Sequence, residues 1–201
     1  KQTMRVAQHL YEEGLITYHR TDSLNLASQA VTMCRDFIKK EYGINYLPDS
    51  PKFYKTKSKV AQEAHEAIRP TDVKSEIPAR NASHIEAGGR NPKFETLERD
   101  EERLYTLIWK RFVACQMNEA VFAQTKVEIC AGTFLFRALG SKLKFDGWKK
   151  LYGEGTKETE ETEGANALPV LTVGELLKLL KLLPGQHFTQ PPARFTEASL
   201  I

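Results

Sequence analysis

Apolar positions at Met4, Ala7, Leu10 and Tyr11 fall three, three and one residues apart, the stripe of an amphipathic helix. Gly14 stands where a left-handed C-terminal cap belongs, so this helix is expected to end near Glu13. Leu15, Ile16, Thr17 and Tyr18 are β-branched or bulky and too few for a helix, which fits a buried strand or an extended segment. Asp22 and Ser23 are N-cap types, and Ala27, Val31, Cys34 and Ile38 repeat at four, three and four. A second helix is therefore predicted from the Asp22–Ser23 region to about Tyr42, before Gly43. Residues 45–59 are loop formers and lysines and read as a surface excursion. Over 61–69 at most a short helix is expected, since Pro70 biases Arg69 away from helical angles, and 74–98, with Pro78, Gly88, Gly89 and Pro92, reads as an irregular insertion. Leu104, Leu107, Ile108, Phe112 and Cys115 then mark a helix over about 100–117.

Beyond Asn118 the pattern becomes strand-like, in runs over 120–130, 133–139 and 142–151 separated by Gly132 and Gly140. The acidic stretch 154–164 reads as a solvated loop, with an interaction tail as the other reading. In 175–183 leucines recur at three and four, as in a helix, while the flanking Gly174 and Pro184-Gly185 suit a nine-residue strand; both remain open. Residues 195–201 read as the start of a helix cut short.

Composition narrows the class. At 201 residues, with 41% hydrophobic and 27% charged side chains, the chain has the apolar content of one or two packed domains. Its longest apolar stretch is broken by Lys178 and Lys181 and falls short of the roughly 20 residues of a membrane span, so no membrane partner is expected. A net charge of +3 permits a nucleic-acid partner without arguing for one. Cys34, Cys115 and Cys130 are odd in number and widely spaced, which fits neither a disulfide framework nor a zinc cluster and points to a reducing cytoplasm. The chain opens at Lys1 without an initiator Met and shows no secretory or transit signal. It is expected to be a piece of a longer protein.

Candidate chemistry concentrates in Gly14-Leu15-Ile16-Thr17-Tyr18-His19-Arg20-Thr21-Asp22-Ser23. In an extended backbone, side chains two apart share a face at about 7 Å, so Tyr18 and Arg20 could address one phosphate while His19 faces away. A free phenol with a pKa of about 10 is only about one part in a thousand ionised at neutral pH, a deficit of roughly 4 kcal/mol for a nucleophile. A guanidinium on the non-bridging oxygens of a phosphodiester is the obvious remedy. The plain alternative is a structural tyrosine beside a surface arginine.

Leu10-Tyr11-Glu12 followed by Ile16-Thr17-Tyr18-His19-Arg20-Thr21-Asp22-Ser23 resembles the active-site signature of bacterial type IA DNA topoisomerases. The likeness continues in order through Gln62-Glu63-Ala64-His65-Glu66-Ala67-Ile68-Arg69-Pro70-Thr71-Asp72, Leu107-Ile108-Trp109-Lys110-Arg111-Phe112 with Cys115-Gln116-Met117, Phe145-Asp146-Gly147-Trp148, and His187-Phe188-Thr189-Gln190-Pro191-Pro192-Ala193-Arg194-Phe195. Only the segments around 75–98 and 152–167 lack a counterpart. The resemblance implies an ATP-independent cut of one DNA strand through a 5′-phosphotyrosyl intermediate, passage of another strand, and religation that relaxes negative supercoils. It makes Tyr18 the nucleophile and Arg20 a ligand of the scissile phosphate. His65 becomes a DNA contact and proton relay, or else a hydrogen-bonded structural histidine. Arg69 supports the site or a phosphate, or forms a structural salt bridge; Arg194 contacts DNA or orders the following helix. Position 19 is often methionine in the family, and His19 carries no role from it.

The implied fold class is α+β. Residues 1–119 would form a mainly helical, winged-helix-like domain, 120–186 a β-rich arch with 175–183 as a strand, and 187–201 the start of the next helical domain. The family holds Mg²⁺ on acidic residues of a Toprim domain, and no such Asp-x-Asp cluster occurs here, so no metal ligands are expected in this chain. The fragment alone is expected to be inactive, and its partners to be single-stranded and negatively supercoiled DNA and the remaining domains of the parent chain, in the cytoplasm at the nucleoid. The rival class is a non-catalytic DNA-binding module.

Overall fold

The computed structural model describes residues 1–54, 65–74, 97–153 and 168–196. The described residues form three α-helices, α1 (Gln2–Glu12), α2 (Ser28–Glu41) and α3 (Arg99–Cys115), and an antiparallel hairpin of β1 (Val121–Ala131) and β2 (Phe134–Phe145). Short 3-10 helices lie at Ile44–Tyr46 and Gly147–Tyr152. The composition is α+β. The chain divides into two units, Lys1–Leu168 and Pro169–Ile201.

α1 ends as its sequence dictates. Gly14 adopts φ 69°, its N–H donates to the Tyr11 carbonyl, and the Leu15 N–H donates to the Leu10 carbonyl. These are the two bonds of a Schellman cap, and the apolar pair that accompanies it, Leu10 and Leu15, is buried. Of the predicted stripe, Ala7 and Leu10 face the core, whereas Met4 and Tyr11 are exposed.

α2 begins at Ser28, later than Asp22 and Ser23 predicted. The Thr21 hydroxyl accepts the Ser23 N–H and the Ser23 hydroxyl accepts the Asn25 N–H, so these side chains close local turns instead of capping a helix. The intervening backbone is tied elsewhere: Ala67 N–H donates to the Asn25 carbonyl, and Ala27 N–H to Glu66 Oε1 at 2.8 Å.

α3 buries a face rotated from the predicted stripe. Tyr105, Trp109, Phe112 and Val113 are buried, and Leu107 is exposed. The larger aromatic area wins the interior: Trp109 meets Phe37 of α2 edge-on at 5.7 Å, and its Nε1–H donates to the Val73 carbonyl at 2.7 Å. α1 crosses to α3 through Gln2 Nε2 on Asp100 Oδ2 (2.6 Å) and through His9 Nδ1, 2.6 Å from Glu101 Oε1. Leu10, Leu15, Ile16, Cys34, Ile38, Trp109, Val113, Met117 and Leu151 form the shared core. Residues 45–54 are more than an excursion, because the buried Gln116 side chain bonds both the N–H and the carbonyl of Lys52.

Two strands replace the three predicted runs. Gly140 does not end β2; it pairs with Thr125 inside the ladder, since an uninterrupted partner strand carries the pairing past it. The turn falls at Gly132 and Thr133, where Gly132 supplies the positive φ of 61° that a two-residue hairpin turn needs first. Residues after Phe145 form a 3-10 helix, not a strand. It clasps the hairpin base to the helices: Tyr46 Oη donates to Asp146 Oδ1 at 2.7 Å, Asn118 N–H to the Tyr46 carbonyl, and Trp148 N–H to the Asn118 carbonyl.

In the second unit the described residues 169–196 contain neither helix nor strand, which corrects the strand expected over 175–183. Leu176 is 98% exposed. A strand exists by pairing, and none pairs with this segment among the described residues; a nine-residue helix without a covered face is marginal in water. The predicted short helix over 61–69 is absent from 65–69, where the backbone serves the pairing described next. Residues 55–64, 75–96, 154–167 and 197–201 lie outside the described residues, and with them most of the predicted 74–98 insertion, the acidic loop and the start of the terminal helix.

Candidate active site

The segment after Gly14 bends at Leu15, Thr17, His19 and Arg20 and is pinned over residues 15–17. Ile16 bridges antiparallel to Pro70: Thr17 N–H donates to the Arg69 carbonyl and Thr71 N–H to the Leu15 carbonyl, at 2.9 and 3.0 Å. The Thr17 hydroxyl adds two more bonds, donating to the Ala67 carbonyl at 2.8 Å and accepting the Arg69 N–H at 2.9 Å. Leu15 and Ile16 are buried. Tyr18 is thus the first side chain to leave a backbone held on both sides, and its ring is 41% exposed.

Three aromatic rings surround it. Tyr11, from the last turn of α1, meets Tyr18 edge-on at 5.3 Å; His19 lies at 5.4 Å and His65 at 5.9 Å between ring centroids. Burial alternates over residues 18–20, with Tyr18 and Arg20 exposed and His19 inward, although the backbone bends at His19 and Arg20. The expectation that His19 faces away needs correction, however: its ring turns inward yet stays against both Tyr18 and Tyr11. Tyr11, at the α1 terminus, and Tyr18 both offer ring surface to it, at centroid distances of 5.9 and 5.4 Å.

Among the described residues, neither ring nitrogen of His19 nor Nδ1 of His65 has a hydrogen-bond partner, and all three atoms are shielded from solvent. Such groups cost about 1–3 kcal/mol each when left unmade, and so call for an explanation. Arg20 is exposed and has no hydrogen-bond or ion-pair partner among the described residues. A guanidinium unspent in this way, two residues from an exposed phenol, is available to an anion.

Arg69 is spent. Its Nε and Nη2 donate to the two carboxylate oxygens of Glu66 at 2.7 and 3.0 Å, and Nη1 donates to the Pro70 carbonyl. Burial works to raise the Glu66 carboxyl, but the Arg69 hydrogen bonds, the Ala27 N–H and the Arg69 charge outweigh it and hold the group below its ordinary 4.5. Glu66 therefore links the 65–71 segment to the start of α2. Arg194 is exposed within the second unit. Sequence reasoning passed over Glu66 and Tyr11. Both stand inside the motif blocks quoted above, which was the available signal.

The donors nearest Tyr18 are a second phenol and two imidazoles. Mg²⁺ takes carboxylate and water oxygens, so these residues do not fit it; nor does any cluster of three His, Cys, Asp or Glu with metal-binding arrangement occur among the described residues.

Comparison with known proteins sets the class: the sequence model of a family described as DNA topoisomerase matches residues 1–201. DNA topoisomerase 1 of Pseudomonas aeruginosa is 49% identical over 201 residues, all of this chain and 21% of that protein. The Escherichia coli protein of the same name is 46% identical over the same span, again 21% of its length. Full-length topoisomerase I from Thermotoga maritima has a similar structure, with a TM-score of 0.59 and 28% identity, over 83% of this chain and 24% of that one. This chain belongs to the bacterial DNA topoisomerase family. It spans about a fifth of the length of the relatives named from Pseudomonas and Escherichia.

Proposed function

We propose that this chain is the tyrosine-bearing part of a type IA DNA topoisomerase, with Tyr18 as the nucleophile. The observation that carries the reading is an exposed phenol following a doubly pinned segment, two residues from an arginine with no partner among the described residues. In cleavage the Tyr18 oxygen bonds to phosphorus, the bond from phosphorus to the 3′-oxygen breaks, and the 5′ end stays on the enzyme. Another strand passes, and the 3′-hydroxyl reverses the step. Transesterification conserves bond energy, so no ATP is required, and the covalent intermediate separates cutting from rejoining. Relaxation of negative supercoils follows. Arg20 neutralises the non-bridging oxygens while the phosphorane forms, an interaction strongest in the transition state. His65, with a ring nitrogen unpaired among the described residues, contacts the DNA and relays the phenol proton. Arg69 keeps the 65–71 segment in place, and Arg194 is a further DNA contact.

The finer architecture belongs to the same reading. Residues 1–119 form a winged-helix-like gate, 120–186 contribute to the arch, and 187–201 begin the next helical domain. Mg²⁺, in that scheme, would be held by carboxylates outside this chain and would supply positive charge at the DNA phosphates. The enzyme works in the cytoplasm on nucleoid DNA, on single-stranded and negatively supercoiled regions. No helix among the described residues is long and apolar enough to cross a membrane.

The test is covalent trapping. Single-stranded DNA mixed with the complete parent protein should yield a denaturation-resistant adduct that maps to Tyr18 and disappears in Tyr18→Phe. Arg20→Ala should slow its formation about 10²- to 10³-fold, the range for losing one preorganised donor to developing charge. Salt-sensitive binding with no adduct would establish the DNA-binding module instead. The chain alone, with Mg²⁺, should leave supercoiled plasmid unrelaxed.

A further inference from the structure

Tyr11, Tyr18 and His19 form a closed triangle of rings, with centroids 5.3, 5.4 and 5.9 Å apart. Two of its corners are anchored. Tyr11 sits on the last turn of α1, one residue from the fully buried Leu10 and immediately before the Schellman cap. His19 is only 7% exposed. The third corner, Tyr18, is 41% exposed, as is Tyr11, and carries the phenol that an approaching strand would meet.

We propose that His19 is a positioning residue, which with Tyr11 forms the wall that sets the direction of the Tyr18 phenol. This rests on Tyr18 being the nucleophile. His19 carries two ring nitrogens. Neither is hydrogen-bonded among the described residues and neither reaches solvent, so His19 acts on its neighbour through the shape and area of its ring. A flat ring held against the core on one side of Tyr18, with a second ring edge-on at another, removes most of the directions the phenol would otherwise sample. An attacking atom profits from this because misplacing it by about 1 Å can cost about 10²-fold in rate. Rejoining profits equally, since the same oxygen must then leave along the same line.

The experiment uses the complete parent protein and a single-stranded oligonucleotide, with adduct formation followed in single turnover and DNA affinity measured separately. His19→Ala is expected to slow adduct formation by about tenfold or more with affinity unchanged. His19→Phe, which keeps a flat ring and discards the nitrogens, should recover most of the rate. Tyr11→Ala, at a position 41% exposed and so undemanding for folding, should slow the reaction in the same direction. His19→Ala or Tyr11→Ala reacting at the parental rate would overturn the proposal, as would rate and affinity falling together or His19→Phe as slow as His19→Ala. Should His19→Ala not fold, Tyr11→Ala and His19→Phe decide alone. Tyr18→Phe run alongside separates the two levels: an adduct that survives it refutes Tyr18 as nucleophile, whereas its loss leaves only the role of His19 in question.

Discussion

Gly147 shows how one residue can be dictated by its neighbours' backbone. It holds φ 51°, and a Cβ there would lie 2.5 Å from the Glu119 carbonyl oxygen and 2.6 Å from that of Asn118. The left-handed conformation alone costs an L-residue about 1–2 kcal/mol, and the backbone overlap adds to it. Gly147→Ala should therefore destabilise by more than about 2 kcal/mol, read as a lower urea midpoint, whereas Gly132→Ala, with nothing within 4 Å, should cost only the conformational part. The candidate site residues follow a different logic. Tyr18 and Arg20 were legible because their chemistry and spacing point to a phosphate before any fold is known. His19 and Tyr11 were not, because their importance lies in which ring they touch, and ring contacts between residues eight apart depend on how a helix ends.

The pin between residues 15–17 and 66–71 governs what Tyr18 can do. Thr17→Val removes the acceptor of the Arg69 N–H and the donor to the Ala67 carbonyl, leaving partly buried backbone groups unmatched. It should destabilise by about 1–3 kcal/mol in chemical unfolding and loosen the Tyr18 loop in hydrogen exchange. The Glu66–Arg69 pair adds a pH dependence with a definite sign. A carboxyl held below 4.5 in the folded state contributes stability that is present above that value and lost as pH falls through the lower folded one. Unfolding measured at neutral pH and in acid should show that component in the parent, and Glu66→Gln should abolish it. Periodicity located all three helices, since a repeat of three and four needs no partner to be read. It missed where α2 starts and which face α3 buries. Thr21 and Ser23 had two uses for their hydroxyls, and only the tie of Asn25 and Ala27 to residues 66–67 selects the turn.

Over the larger structure, apolar surface is unevenly covered. The helices enclose one core, while the hairpin leaves Phe134 and Leu139 each 72% exposed, with Leu135 and Phe136 half exposed beside them. Patches of this kind bind other apolar surfaces. The isolated chain should bind a hydrophobic dye, and Phe134→Ser with Leu139→Ser should reduce the fluorescence while shifting unfolding stability by no more than about 0.5 kcal/mol per substitution. Local order dictated what depends on neighbours a few residues away: the helices, the Gly14 cap, the Gly132 turn, and a phenol set two residues from a guanidinium. Tertiary structure alone decided whether Gly140 interrupts a strand, what residues 175–183 become, and how Tyr11 and His19 close around Tyr18. Each of these is a choice between states of similar local energy, and only groups distant in the chain separate them.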